Sequence, residues 1–329
     1  MGSPDLPRLG LGERIQDALL VREVDQRTYQ GDKTMTTLTL GNASGTIGSA
    51  PFWEQDQHLV AGVKAGDVVQ IIGEVGAYKD RRQLQVTSLR VLPRGKVDWG
   101  ALLPTAGDVT RYWETIDKWR AEISGPRLRA VVALFYDDED FRTRYGQCPA
   151  STVGHHAELG GLLKHTVEVA SIGRHIAKVA RADADLVTAG VLLHDIGKLE
   201  AYRWDGLFAP TDKNALYGHV VLGALMLDDA VRSADPMPCS EQELDILMHL
   251  VLAHHGRLEF GAPVEPKTLE AEIVHYADNA SAKTASFADA LADPSNFSGE
   301  ELVSARGIWS LDKRRAYRGN SDWGAGGGG

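Results

Sequence analysis

Side chains that can bind metal ions recur in short motifs through the second half of this chain. They comprise five histidines and two aspartates, namely His165, His194, Asp195, His219, His254, His255 and Asp278. Imidazole nitrogens and carboxylate oxygens bind divalent ions such as Mn, Fe, Co and Zn. A packed core does not need so many polar groups, because each one that is buried without a partner destabilises the fold. The series therefore predicts a centre for divalent metal ions.

One motif places a histidine and an aspartate side by side, at the end of the apolar segment TAGVLLHDIGK. The neighbours His194 and Asp195 can reach one ion together only where a helix ends or the backbone bends. Asp195 can also bridge two ions with its two oxygens, and we expect it to be catalytic. Gly197 permits a tight backbone there. Lys198 is expected either to contact a phosphate, as a catalytic residue, or to be a solvated lysine at a helix end.

The series divides into two groups, each able to hold one ion. The first group has His165, His194, Asp195 and Asp278, and the second has His219, His254 and His255, with Asp195 bridging the two. Two ions about 3.5–4 Å apart clamp a phosphoryl group and generate a hydroxide that attacks it. We expect His249 and His275 to pack in the core or to support the ligands rather than to bind metal directly.

The residues before this region predict a small β barrel. Residues 13–92 contain five short segments that are rich in β-branched residues and alternate in polarity: VREVDQRTY, TMTTLTL, GTIGSAPFW, DVVQIIGEVGAY and RQLQVTSLRVL. A short helix is expected at about 54–64, between the third and fourth segments. Five strands with a helix in that gap follow the order of an OB-fold barrel.

The remainder of the chain is expected to be helical, so the protein is predicted to be multidomain. Residues 93–107 are rich in Pro and Gly and predict a linker. Residues 108–296 show apolar residues at helical spacing and predict an all-α domain that contains the metal centre. Residues 297–329 form a C-terminal tail, whose Gly-rich end we expect to be disordered.

Composition narrows the class of protein. A net charge of −10 argues against a protein that coats polyanions along its whole surface, although a local groove with bound cations can still bind nucleic acid. The chain has no apolar run long enough to span a membrane, and its first residues do not resemble a signal peptide. Only Cys148 and Cys239 are present, too few for a disulfide framework. These features predict a cytoplasmic protein.

Several motifs together resemble those of one bacterial enzyme family. HHAELGGLLKHT, GVLLHDIGK, YGH, HLVLAHHGRLEFGAP and EAEIVHYADN are similar to the corresponding strings of YhaM-type 3′→5′ exoribonucleases. HDIGK alone occurs across the HD-type metal-dependent phosphohydrolases, but AHHGRLEFGAP behind an OB-fold is much more specific. The resemblance covers nearly the whole chain, including IWSLDKRRAYRG in the tail.

The resemblance implies an N-terminal OB-fold, a C-terminal HD domain and a homo-oligomer. It implies divalent-metal-dependent removal of nucleoside 5′-monophosphates from the 3′ end of single-stranded RNA, and in some members of DNA. Mn is the usual activating ion, with Co, Fe and Mg as alternatives. The ligand roles carry over to the seven residues of the series. His155 and His156 match the pair before GGLL and are expected to face the substrate, His156 as a catalytic residue.

The barrel itself carries candidate nucleic-acid-binding residues. Aromatic and cationic side chains along a groove are typical of single-strand binding by OB-folds. The candidates here are Phe52, Trp53, Tyr78, Lys79, Arg81 and Arg82. Residues 13–92 hold nine Lys/Arg and ten Asp/Glu, so the barrel has no overall basic surface. The alternatives are that Phe52 and Trp53 cap the barrel, that the basic turn is a soluble hairpin, or that the barrel mediates oligomer contacts.

The sequence is also compatible with two other functions. The first is an HD phosphohydrolase acting on nucleotides or cyclic dinucleotides. A strand-binding barrel argues against it, and the chain has GRLEFGAP where the HD-GYP type has its GYP element. The second is a non-catalytic single-strand-binding protein with a degenerate HD domain. The complete ligand series disfavours it, because decayed enzymes usually lose ligands first.

Overall fold

The computed structural model describes residues 3–319 except 30, 32 and 80. Its N-terminal part is an antiparallel sheet of five strands: β1 (Arg14–Tyr29), β2 (Lys33–Asn42), β3 (Gly45–Gly48), β4 (Val68–Tyr78) and β5 (Arg81–Val91). The strand order in the sheet is β3-β2-β1-β4-β5. A parallel bridge between Ser49 and Leu84 joins its two edges and closes the barrel. The predicted OB-fold is thereby confirmed.

The first strand is longer than its sequence pattern indicated. It begins at Arg14, ahead of the predicted segment that starts at Val21. Its first half pairs with β4 and its second half pairs with β2, with a shift in register between Val21 and Glu23. A bulge of this kind bends a strand and interrupts the alternation of buried and exposed residues. Before the bulge, Leu19 and Val21 lie in the barrel core, while Leu20 is buried on the opposite face against Leu102. Three consecutive residues are therefore buried, and this part of the chain lacks the alternation of a typical strand.

The helix predicted between the third and fourth strands is present but short. A 3₁₀ turn at Glu54–Asp56 leads into helix α1 (Gln57–Val60). Val60 is buried in the barrel core, and Leu59 packs against that core. The element therefore plugs one end of the barrel.

The segment predicted as a linker is packed between the barrel and the helices. It contains helix α2 (Trp99–Leu102), whose Leu102 is buried together with Leu20 and Val68 of the barrel. Phe208, from the helical part of the chain, packs against the same cluster. An ion pair of 3.2 Å between Arg94 and Asp205 lies on the surface of this contact.

The rest of the chain is mainly helical. The helices are α3 (Thr110–Glu122), α4 (Pro126–Tyr136), α5 (Glu139–Tyr145), α6 (Gly161–Ala180), α7 (Ala184–His194), α8 (Lys198–Ala201), α9 (Asp212–Ser233), α10 (Glu241–Ala253) and α11 (Leu269–Ala292). A two-residue hairpin, β6 (Tyr202–Arg203) and β7 (Ala209–Pro210), separates α8 from α9. The all-α prediction for this part is confirmed apart from that hairpin. None of the helices described is both long and apolar enough to cross a membrane.

Helix α7 lies at the centre of the helical part. Its residues from Val187 to His194 are all buried, and it contacts α6, α10 and α11. Such burial explains why its sequence is apolar on every side rather than on one stripe. The end of this helix is where the HD doublet lies.

Residues 297–319, which we call the C-terminal segment, fold back on the second half of α11. Phe297, Leu311 and Ala316 are buried against Ala290 of that helix. Val303 and Tyr317 form an antiparallel bridge within the segment. The Gly-rich end of the tail, for which we expect disorder, lies outside the described residues.

Candidate metal centre

The predicted ligands converge from five helices around the end of α7. His165 lies on α6, His194 on α7, His219 on α9, His254 and His255 directly after α10, and Asp278 on α11. The ligand atoms of His165, His194 and Asp195 lie within 4.8 Å of one another. Those of His219, His254 and His255 form a second group of the same kind. The structure therefore brings together six of the seven predicted ligands in two groups, and their binding of metal stays a prediction.

The HD doublet lies where a helix ends. α7 stops at His194, and Asp195 caps it with non-helical backbone angles (φ −113°, ψ 11°). This change of direction brings the two neighbouring side chains to one side, with His194 Nε2 3.1 Å from Asp195 Oδ2. A regular helix would instead point them about 100° apart.

Asp195 lies between the two groups of histidines. Its Oδ1 is 3.4 Å from His219 Nε2 and 3.7 Å from His254 Nε2. Its Oδ2 is 3.6 Å from His165 Nε2 and 3.1 Å from His194 Nε2. One oxygen thus faces each group, as a carboxylate that bridges two ions must.

Asp278 belongs to the first group and lies at its edge. Its Oδ1 is 3.0 Å from His165 Nε2 and 4.0 Å from His194 Nε2. A cavity of about 220 Å³ opens beside it, lined among others by His255, Phe260 and Lys283. The centre is therefore reached from the side of α11.

Hydrogen bonds set the orientation of three ligand rings. Each Nδ1 is bonded to a backbone carbonyl oxygen: His194 to Val191 at 2.6 Å, His254 to Val251 at 2.7 Å, and His255 to Phe260 at 2.7 Å. Because a carbonyl oxygen only accepts, Nδ1 carries the proton in each ring. The Nε2 lone pairs therefore point into the centre, which is the usual arrangement of histidines that bind metal.

The centre contains polar atoms that need a cation. Nε2 of His194, His219 and His254 and Oδ1 of Asp195 are buried and have no hydrogen-bond partner among the described residues. Leaving such an atom unpaired costs about 1–3 kcal/mol. Burial lowers the pKa of His219 to about 3 and the pKa of His254 well below its usual range, so both rings are neutral. Neutral imidazoles beside an ionised carboxylate fit divalent ions; the assignment of individual ligands stays a prediction.

A second set of contacts supports His165. Ser281 donates its hydroxyl hydrogen to Glu168 at 2.8 Å, so its oxygen accepts from Nδ1 of His165 at 3.1 Å. His165 Nε2 is then left without a proton, 3.0 Å from the Asp278 carboxylate. A lone pair facing a carboxylate is repulsive unless a cation lies between them. Neither Glu168 nor Ser281 was predicted, although each stands three residues after a ligand on its helix.

Lys198 is buried and points at the carboxylate of Asp195. Its Nζ lies 2.6 Å from Asp195 Oδ2. Burial opposes the charge on both residues, but the attraction between them raises the pKa of Lys198. His194 and Lys198 likewise lower the pKa of Asp195 well below its usual range, against the effect of burial. The alternative of a solvated lysine is excluded by this burial, and Lys198 keeps Asp195 ionised.

Two glycines shape the backbone at the centre. A Cβ on Gly197 would lie 2.1 Å from the carbonyl oxygen of His219, so only glycine allows this close approach. Gly218 has φ 71° and interrupts α9 immediately before His219. His219 thus begins the second part of α9, which agrees with its prediction at the start of an apolar helix.

The two neighbouring histidines before α6, His155 and His156, lie in different environments. His156 is buried, and its Nε2 is 2.8 Å from Glu168 Oε2. Burial would lower the pKa of His156, but hydrogen bonds to Glu158 and Glu168 outweigh it and raise the pKa. His155 is half-buried and lines a cavity beside α11. The geometry gives His156 contacts that position Glu168, and a catalytic role for it stays a prediction.

The two histidines expected to support the ligands are held by backbone groups. His275 donates from Nδ1 to the carbonyl oxygen of His254 at 3.0 Å, which holds the turn after α10. His249 accepts a hydrogen bond from the backbone N–H of Lys267 at 2.8 Å. Neither residue belongs to the two ligand groups.

The candidate strand-binding residues of the barrel differ in exposure. Phe52 is only 4% exposed and lies in the barrel core, so its ring cannot stack on a base. The prediction of Phe52 as a stacking residue is corrected by this burial. Trp53 is 40% exposed, with its ring 5.2 Å from the ring of Tyr29 in an edge-on contact. These two neighbours therefore face opposite sides of the barrel wall.

The turn between β4 and β5 presents an aromatic and a cationic side chain to solvent. Tyr78 is 61% exposed, and Lys79 Nζ lies 5.3 Å from the centre of its ring. Arg81 is exposed beside them. Arg82 instead donates to the carbonyl oxygens of Pro7 and Leu9 and holds the N-terminal residues on the barrel. Tyr78, Lys79 and Arg81 are thus the members of this turn that are free to meet a ligand.

Comparison with known proteins gives one family match and several relatives. The HD domain family matches residues 162–283. The chain is 30% identical to the 3′-5′ exoribonuclease YhaM of Bacillus subtilis over 276 residues, 83% of this chain and 86% of that protein. It is 28% identical to the protein of the same name from Oceanobacillus iheyensis over 315 residues, which cover 94% and 95% of the two chains. Both alignments are long enough to include the barrel and the metal centre.

Proposed function

Because this chain belongs to the YhaM family of 3′-5′ exoribonucleases, we propose that it is a hydrolase that uses divalent metal ions to remove nucleoside 5′-monophosphates from the 3′ end of single-stranded RNA. The observation that carries the metal dependence is the position of Asp195, with one carboxylate oxygen toward each of two histidine groups. Mn is the ion that we propose first. RNA rather than DNA is proposed because the relatives are named exoribonucleases.

The residues of the centre have different roles in the proposed reaction. When bound, two divalent ions would polarise the phosphodiester and activate water for attack. Asp195 stays ionised between the two groups, since Lys198 lies against it at 2.6 Å. His255 and Asp278 line the opening, where the terminal phosphodiester would enter. His165 is oriented by Ser281, which places its unprotonated Nε2 beside Asp278 so that both could bind one ion. The rings of His194 and His254 cannot turn away, because each donates to its own helix.

The direction of cleavage tests the proposal. A single-stranded RNA labelled at its 5′ end should shorten in a ladder that begins at the 3′ end, with nucleoside 5′-monophosphates as products. The buried centre is reached through a small cavity, so only a strand end should gain access to it. Gel electrophoresis with product chromatography provides the measurement. Cleavage of a circular single strand at a comparable rate would mean an endonuclease, and hydrolysis of nucleotides alone would favour a phosphohydrolase of small molecules.

We further propose that exposed aromatic side chains of the barrel hold the strand. Trp53 and Tyr78 are exposed, and Lys79 adds a cation beside Tyr78. Exposed aromatic rings with nearby cations bind single strands without sequence preference, because every base has a face that can stack.

The neighbouring residues Phe52 and Trp53 form a matched pair for testing this surface. Trp53→Ala should raise KM for an oligoribonucleotide by roughly 5- to 150-fold, which corresponds to about 1–3 kcal/mol for one stacked base. Phe52→Ala should instead reduce the free energy of unfolding by about 3–5 kcal/mol, since it leaves a cavity in the barrel core. Steady-state kinetics and denaturant unfolding separate the two effects. An unchanged KM for Trp53→Ala would assign this ring to the barrel wall.

A further inference from the structure

The C-terminal segment forms one wall of a groove. Two cavities of about 600 and 510 Å³ lie between the segment, α11 and the loop before α6. Both are lined by Val153, Gly154, Trp309 and Ser310, so they form one continuous groove. We call it the C-terminal groove.

This groove leads to the metal centre. The nearer of its two cavities is lined by His155, Ala282 and Lys283. Ala282 and Lys283 also line the cavity that contains Asp278 and His255. A ligand whose end lies at the centre can therefore continue into the groove along α11.

The most exposed tryptophan in the described part of the chain lies in this groove. Trp309 is 76% exposed, although it follows Ile308, which packs on the apolar cluster under the segment. An exposed aromatic ring is a surface on which a base can stack. Trp309 lines both cavities and therefore lies where they meet.

The charge of the segment contrasts with that of the whole protein. Residues 297–319 contain five Lys/Arg and three acidic residues, Glu300, Glu301 and Asp312, while the chain has a net charge of −10. Lys313 lines the groove near the metal centre, and Arg306 lines its far part. In the cavity nearer the metal centre Lys283 and Lys313 outnumber Asp312. Cations next to an exposed indole are the combination that binds single-stranded nucleic acid.

Acidic groups in the groove are few near the centre. Asp312 is paired with Lys283, Nζ to Oδ2 at 2.7 Å, so its charge is balanced. Asp289 and Asp293 line only the far cavity. The part of the groove next to the metal centre therefore has the more favourable potential for phosphates.

We propose that the C-terminal groove binds the nucleotides just upstream of the 3′ end of a single-stranded RNA, and that Trp309 stacks on one of their bases. Lys313 lies beside their phosphates. This inference rests on the proposed function, since it requires that the 3′ end occupies the metal centre. The barrel would then hold the strand at a second, separate place.

Substitutions of Trp309 in the full-length enzyme test the inference with Mn present. Trp309→Ala should raise KM for an oligoribonucleotide by about 5- to 150-fold, the range for loss of one stacked base, with a much smaller change in kcat. Trp309→Phe should recover most of the affinity because it keeps an aromatic face. Trp309→Leu should not recover it. Val179→Ala, which removes an 86% exposed apolar side chain from α6, is the control.

The outcomes separate this inference from the function on which it rests. If the wild-type protein degrades RNA from the 3′ end and Trp309→Ala has the KM of the Val179→Ala control, the groove does not hold the strand. If Trp309→Leu performs as well as Trp309→Phe, the contact is apolar packing and the stacking assignment is overturned. If the wild type degrades no RNA, the proposed function itself fails, whatever Trp309 does.

Discussion

Asp195→Ala is expected to lower exonuclease activity by more than about 100-fold, because changes to mere supporting partners of a metal ligand already cost about 10–100-fold. Asp195 has one oxygen toward each histidine group, so its loss should affect both ion sites at once. Metal content measured on the purified variant should fall together with activity. A folded variant that keeps more than a few per cent of wild-type activity would contradict the bridging role.

Stability must be followed in the same experiment, because Asp195 is also the partner of a buried cation. Removing one member of a buried ion pair destabilises a protein by about 3–5 kcal/mol. The double variant Asp195→Asn/Lys198→Met removes both charges and should recover part of that loss, but none of the activity. Asp245→Ala, on an exposed position of α10, should leave both properties unchanged. Thermal unfolding and activity together distinguish a chemical defect from a folding defect.

Removal of metal ions is expected to abolish the activity completely and reversibly. After dialysis against EDTA the protein should not shorten RNA, and Mn should restore the ladder, since the donor set of neutral imidazoles and ionised carboxylates then regains its cation. Co, Fe and Mg can be compared at equal free concentration. Undiminished activity in a preparation shown to be free of metal would contradict the proposed chemistry.

The same titration should change thermal stability. An ion that binds only the folded state at about 100 times its Kd adds about 2.7 kcal/mol, or roughly 5–10 °C in Tm for a domain of this size. The physical source is the set of buried atoms without partners, Nε2 of His194, His219 and His254 among them. Asp195→Ala should show a smaller shift than the wild type, which provides a readout independent of activity.

The main features of the fold, and the position of the HD doublet at a helix end, could be predicted because their causes are local. The HD doublet follows an apolar helix, and the end of that helix is sufficient to bring His194 and Asp195 to one side. The strands after the first show alternation and are separated by turns, so the barrel order follows from short segments. Each prediction depends on residues that are neighbours in sequence.

Other features depend on contacts between distant parts of the chain. The early start of β1 was not predicted because Leu20 is buried against Leu102 outside the barrel core, which removes the alternation from this part of the strand. Phe52 and Trp53 are adjacent, so the alternation of side chains along a strand places them on opposite faces. Which of the two lies inside the barrel depends on the register of strand pairing, and that cannot be read from these two residues. Glu168 and Ser281 contact His165 from two different helices, and only tertiary packing brings them together.

Helix α11 has a consequence for the size of the RNA fragments that the enzyme can retain. It carries Asp278 at the metal centre and Ala290 under the C-terminal segment, twelve residues further on. With a rise of 1.5 Å per residue, about 18 Å of rigid rod separates these two points. A strand stacked at about 3.4 Å per nucleotide spans that length with roughly five nucleotides. In the binding mode proposed above, a strand trimmed below this length would lose its contact with the far end of the C-terminal groove, while its 3′ end would still reach the metal centre.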